Sequence, residues 1–136
     1  MELAKKMSKL MLKDTTEVGS QNINNLKLLY AFSKEYKKYK HYLSQDNKNK
    51  LLQILPVFFE ELNKIDFQKC HVEITQDESI IFDLFLKDDL EYSIELFLNP
   101  SEGKERMLFY SVYKGEKYLT NGLTSFSKLI KDINKH

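Results

Sequence analysis

Cys70 and His71 stand side by side. A thiol next to an imidazole is the pair from which a nucleophilic site is built. The stretch that holds them, CHVEIT, alternates apolar and polar residues, which is the period of a β-strand. Neighbours on a strand point to opposite faces, so these two cannot serve as nucleophile and base for each other. His71, Glu73 and Asp83 fall on polar positions of adjoining alternating stretches and have the side-chain types of a metal site. Their spacing matches no HExxH, paired CxxC or similar pattern, so neither a metal nor a cofactor is expected. NPSEGKER, residues 99–106, holds a single glycine and is no phosphate-cradling loop. The carboxylates are many, but nothing in the sequence marks one as a perturbed acid. No catalysis is expected.

Two other constellations point to recognition. Net charge is +1, but it is divided along the chain. Residues 1–50 carry eleven lysines against five acids, a net +6, whereas residues 70–99 carry Lys87 alone against eight acids, a net −7.

The basic constellation lies around YAFSKEYKKYKHY, residues 30–42. At helical period Leu28, Leu29, Phe32, Tyr36, Tyr39 and Leu43 form one apolar stripe. Lys27, Tyr30, Lys34, Lys37, Lys38 and His41 fall on the far side. The mixture of tyrosine and lysine thus separates into a core face and a wet face. A solvated lysine face accounts for it; phosphates or an acidic protein are the alternative ligands. Arg106 is the sole arginine, which disfavours reading of guanine edges and so sequence-specific nucleic-acid recognition.

The acidic constellation lies on strands. Leu90, Tyr92, Ile94, Leu96 and Leu98 alternate without a break and mark a core face. Glu91 and Glu95 then take the opposite face, and simple registers bring Glu73 and Asp83 to the same side, with Ile81, Phe85 and Phe97 among them. Asp77, Glu78, Asp88 and Asp89 crowd the hairpin tips. Such a surface repels nucleic acid and draws in a basic protein. Either the acids are simply solvated, or the basic N-terminal helices lie across them, or the face forms a contact patch. The protein-binding residues expected are Glu73, Asp83, Phe85, Glu91, Glu95 and Phe97.

These residues need a scaffold. Leu3, Met7, Leu10 and Met11 predict a short helix over 2–13, and Gly19 interrupts the pattern before the helix of residues 22–43. Residues 45–65 repeat the helical period around Pro56, where a break or kink is expected because proline lacks the backbone donor. The period then becomes two. Strands are predicted over residues 70–75, 79–87, 90–98 and 107–114, and Gly115-Glu116 fits a type II′ turn into a short fifth strand, with Tyr113 across from Tyr118. Phe126, Leu129, Ile130 and Ile133 close the chain as a helix over 124–134, capped by Thr124 or Ser125.

This order is α+β: N-terminal helices over 1–65, an antiparallel meander of about five strands over 70–121, then a closing helix, all within one domain of residues 1–136. No repeat and no family motif stands out. The first residues show no unbroken apolar stretch of a signal or membrane span, and a lone cysteine fits a reducing compartment. A cytoplasmic location with no membrane partner is expected. The sequence reading is a small, lysine-rich, non-catalytic protein-binding module of the inhibitor, immunity or adaptor type. Its acidic sheet would meet a basic partner. Non-specific nucleic-acid binding through the basic helix is the alternative.

Overall fold

Alternation at period two governs the second half of the chain, and the sheet follows from it. The protein is seen here as a computed structural model that describes residues 20–99 and 107–135, so the helix expected over 2–13 lies outside the described residues. Among the described residues three α-helices frame the sheet: α1 (Ser20–Tyr39), α2 (Gln45–Leu62) and α3 (Phe126–Ile133). The strands are β1 (Lys69–Ile74), β2 (Ser79–Phe85), β3 (Leu90–Phe97), β4 (Met107–Lys114) and β5 (Lys117–Ser125). They lie in chain order, β1-β2-β3-β4-β5, each antiparallel to the next. The expected α+β arrangement is therefore present.

All three described helices pack on one face of the sheet. Val72, Ile74, Ile80, Phe82, Leu84, Tyr92, Ile94, Leu96, Leu108 and Val112 point into that core. Phe82 sits at its centre, fully buried, with ring centroids 4.7 Å from Phe58 and 5.9 Å from Phe59. Phe59 meets Phe32 of α1 edge-on at 6.1 Å, and Phe58 meets Phe126 at the start of α3 at 4.3 Å. Tilted and edge-on ring pairs of this kind add to the area they bury. One aromatic cluster therefore ties every described α-helix to β2.

The elements depart from expectation in three places. α1 ends at Tyr39 and tightens into a 3₁₀ turn, Lys40–Tyr42, so His41 is not on the α-helix. α2 runs unbroken through Pro56. Pro56 is only half-buried and precedes Val57, 61% exposed, while Leu51, Leu55, Phe58, Phe59 and Leu62 hold the other side to the core. β5 is longer than expected, because β4 offers it partners as far as Leu108↔Thr124 and Met107↔Ser125. Thr124 is thus a strand residue, and Ser125 takes the N-cap position of α3.

The turns carry their own chemistry. Gly115 has φ +61° while Glu116 stays at negative φ, which is the type II′ pattern. Tyr113 and Tyr118 face each other beyond it at 5.8 Å. Pairing then slips, since Val112 opposes Thr120, and Leu119 bulges out, 45% exposed.

Between β2 and β3 both Asp88 and Asp89 have φ +60°, and Leu90 N–H donates to Lys87 C=O at 3.2 Å. Two positive φ values call for Asn-Gly. Asp88→Asn with Asp89→Gly is expected to raise unfolding stability by about 1 kcal/mol in denaturant titrations, since a left-handed residue with a Cβ carries roughly that cost. A drop in stability would contradict this turn.

Glu78, at φ +59°, also sits in a turn, but its side chain explains why it is tolerated there. Its carboxylate accepts from the Ser44 backbone N–H at the start of α2 and from Asn99 Nδ2 at 3.2 Å. The Ser44 N–H, opposed by some desolvation and helped by Asn47 and Asn99, holds the Glu78 carboxyl below the usual value. A carboxyl whose folded pKa is depressed stabilises the fold above its unfolded pKa, and that contribution is lost as pH falls through the folded pKa. Glu78→Gln is therefore expected to lower stability at neutral pH and to flatten the acid limb of the stability profile, measured by denaturation between pH 7 and about pH 3. Equal pH profiles for the two proteins would show that Glu78 ties nothing.

Candidate functional site

The registers arrange the face opposite the core into rows that run across the strands. One row is Lys69, Phe85, Glu91, Tyr113 and Tyr118; the next is His71, Asp83, Ser93, Ser111 and Asn121; the third is Glu73, Ile81, Glu95, Phe109 and Leu123. Phe97, 37% exposed, lies beyond the third row across from Ser79. Glu73, Asp83, Phe85, Glu91, Glu95 and Phe97 thus all share one side of the sheet. None of the described helices packs there. The cations on these rows, Lys69 and His71, both sit on β1 at the sheet edge.

The acids on this face differ in what holds them. Glu73 is exposed. Asp83 faces His71, with Oδ2 3.4 Å from Nδ1. Glu95 accepts from the buried Ser79 hydroxyl at 2.5 Å, and Ser79 in turn meets Thr75 Oγ1 at 2.7 Å. Glu91 is half-buried between Phe85 and Tyr113; burial first, and the Asp83 charge second, hold its carboxyl above the usual range. The face therefore keeps a charge it solvates poorly beside partly exposed aromatic rings, a composition that a basic, apolar-tipped partner would relieve.

The basic residues do not stay together. Lys27, Tyr30, Lys34 and Lys38 line a groove of 490 Å³ between α1 and β1, and the strand adds Lys69 and His71 to it. Lys37 is exposed outside the groove, and His41 packs edge-on against Tyr42 at 4.7 Å. The sequence pattern missed Lys69 and His71 as groove residues because only the docking of α1 alongside β1 brings them to it. It also missed Glu78 as a helix cap, since residues 44 and 78 meet only in the fold.

Nucleophilic and metal chemistry find little footing. Cys70 is half-buried on the core side, and burial pushes its thiol up to about 11, with Lys27 pulling it only part of the way back. At neutral pH the thiolate, which is the reactive form, is scarce. Alkylation of Cys70 in the folded protein is expected to be at least tenfold slower than that of a free cysteine at pH 8, read by mass spectrometry. Equal rates would contradict its packing. Glu73 pairs with Ile81 in the row beyond His71 and Asp83, and no group of three His, Cys, Asp or Glu residues able to hold a metal occurs among the described residues.

At the far end of the sheet a hollow of 520 Å³ lies among Ile65, Leu86, Leu90, Leu119 and Ile133, rimmed by Lys87, Asp88 and Lys114. Its floor is apolar and its rim of mixed sign. Among the described residues no helix is long and apolar enough to cross a membrane. Compared with known proteins, the chain matches no family model, no curated protein and no solved structure.

Proposed function

We propose that the protein is a small, non-catalytic, cytoplasmic binding module of the inhibitor, immunity or adaptor kind, which presents the outer face of its sheet to a basic partner protein. The observation that carries this reading is the make-up of that face: Glu73, Asp83, Glu91 and Glu95 interleave with Ile81, Phe85, Phe97, Phe109 and Tyr113 on the side away from every described helix. Aromatic anchors supply contact area, and acids between them choose a partner of opposite sign. Glu91, desolvated and next to Asp83, is the acid with most to gain from a cation across the interface.

The reading is tested by capture from extract of the native host at low and high ionic strength, with the wild-type chain and a Glu73→Lys/Glu91→Lys chain side by side. A basic protein held by the first and lost by the second supports it. Capture that survives the reversal removes the surface.

A further inference from the structure

We infer that the groove between α1 and β1 is a second binding site, which takes a short, extended, acidic segment of another protein. The inference is independent of the reading given for the outer face.

The groove is bracketed. Lys27 Nζ donates to the Gln68 carbonyl at 3.1 Å at one end, and Glu35 Oε2 accepts from the Ile74 N–H at 3.5 Å at the other. α1 thus covers both ends of an edge strand whose open side would otherwise invite pairing. Between the two ties residues Gln68 to Val72 line the cavity. Thr75 N–H bonds towards β2, to the Ser79 carbonyl, whereas Ile74 N–H bonds away from it. Alternation along the strand then turns the N–H and C=O of Cys70 and Val72 away from β2 and towards the groove. An extended main chain has the complementary groups, and pairing with an open strand edge is a recurrent mode of peptide capture.

The walls define the ligand's side chains. Lys34 and Lys38 stand one helical turn apart, a like-charge pair that disfavours the isolated helix, and neither forms an ion pair with the described residues. Lys69 and His71 line the strand side of the groove, but Lys69 Nζ sits over the Phe85 ring at 5.0 Å and His71 Nδ1 lies 3.4 Å from Asp83, so Lys34 and Lys38 are the cations left to the ligand. Ala31, Cys70 and Val72 supply apolar lining, and Tyr30 stands 72% exposed at the rim. Side chains of an extended segment alternate in direction, so acidic residues can meet the lysines while apolar ones meet the lining.

Nucleic acid fits less well. Glu35 lies in the groove, and a strand of phosphates leaving it across β1 meets Glu73 and then Asp83. A segment of a few residues ends before those acids.

The test uses the full chain labelled with nitrogen-15 and a blocked hexapeptide of alternating glutamate and leucine at low salt. Saturable shifts in the amides of residues 27–38 and 69–72 are expected, with affinity falling at least tenfold in Lys34→Glu/Lys38→Glu. Both positions are exposed, so that chain keeps its fold. Glu91→Lys, on the outer face, leaves the peptide affinity unchanged, which separates this site from the other. The inference is overturned by absence of saturation, by shifts confined to other residues, by equal binding of a lysine–leucine hexapeptide, or by tighter binding of a thymidine hexanucleotide.

Discussion

Phe82→Ala is expected to remove about 3–5 kcal/mol of unfolding stability, the usual cost of deleting a large buried ring. Phe82 is fully buried, its ring within 4.7 Å of Phe58 and 5.9 Å of Phe59, and those two rings carry the contacts on to α3 and α1. The cavity left behind would open where helices and sheet join, and neither side can close it without breaking a second ring contact. Small domains have only about 5–15 kcal/mol to lose, so the variant should sit near its unfolding threshold at growth temperature. Urea denaturation followed by circular dichroism measures this. A loss below about 1 kcal/mol, as at a surface position, would show that the aromatic cluster does not hold the layers together.

The second large effect concerns binding. Glu73→Lys/Glu91→Lys is expected to weaken the partner complex by about 100-fold or more, roughly 2.7 kcal/mol, because two attractive contacts become repulsive across one interface. The choice of positions follows from the geometry. Glu95 is engaged by the buried Ser79 hydroxyl, so its reversal would disturb the fold as well as the surface. Glu73 is exposed, and Glu91 carries a desolvation penalty that substitution relieves. Thermal unfolding of the double variant should therefore match the wild type to within about 0.5 kcal/mol. Titration calorimetry with the captured partner reads the affinity. Wild-type affinity in the double variant would remove the acidic face from the interface; lost affinity with a lost fold would point to structure instead.

The sheet was legible in the sequence because its signals are local. The unbroken alternation from Leu90 to Leu98 named the core face of β3, and with it the opposite placement of Glu91 and Glu95. Gly115 announced the last hairpin, and Tyr113 and Tyr118 found each other across it. What was not legible depends on residues far apart in the chain. Nothing near Glu78 says that it will reach the Ser44 backbone, and nothing near Lys27 says that it will hold the Gln68 carbonyl. The groove exists only because α1 lies along β1, so its strand residues could not be read from the helix that supplies its lysines. At Pro56 the local rule pointed to a break or a kink, and the helix is not broken there, because its apolar face packs along its whole length. The bulge at Leu119 left no mark in the alternation, because the turn at Gly115 dominates that stretch.

The claim that the outer face of the sheet meets the partner is tested most directly by hydroxyl-radical footprinting of the whole chain, free and in complex with the captured protein. The account predicts that Phe85, Phe97 and Tyr113 are oxidised in the free chain and protected in the complex, while Tyr30 on α1 is oxidised in both. Protection of the three rings in the free chain, or no change in them on binding, would contradict it.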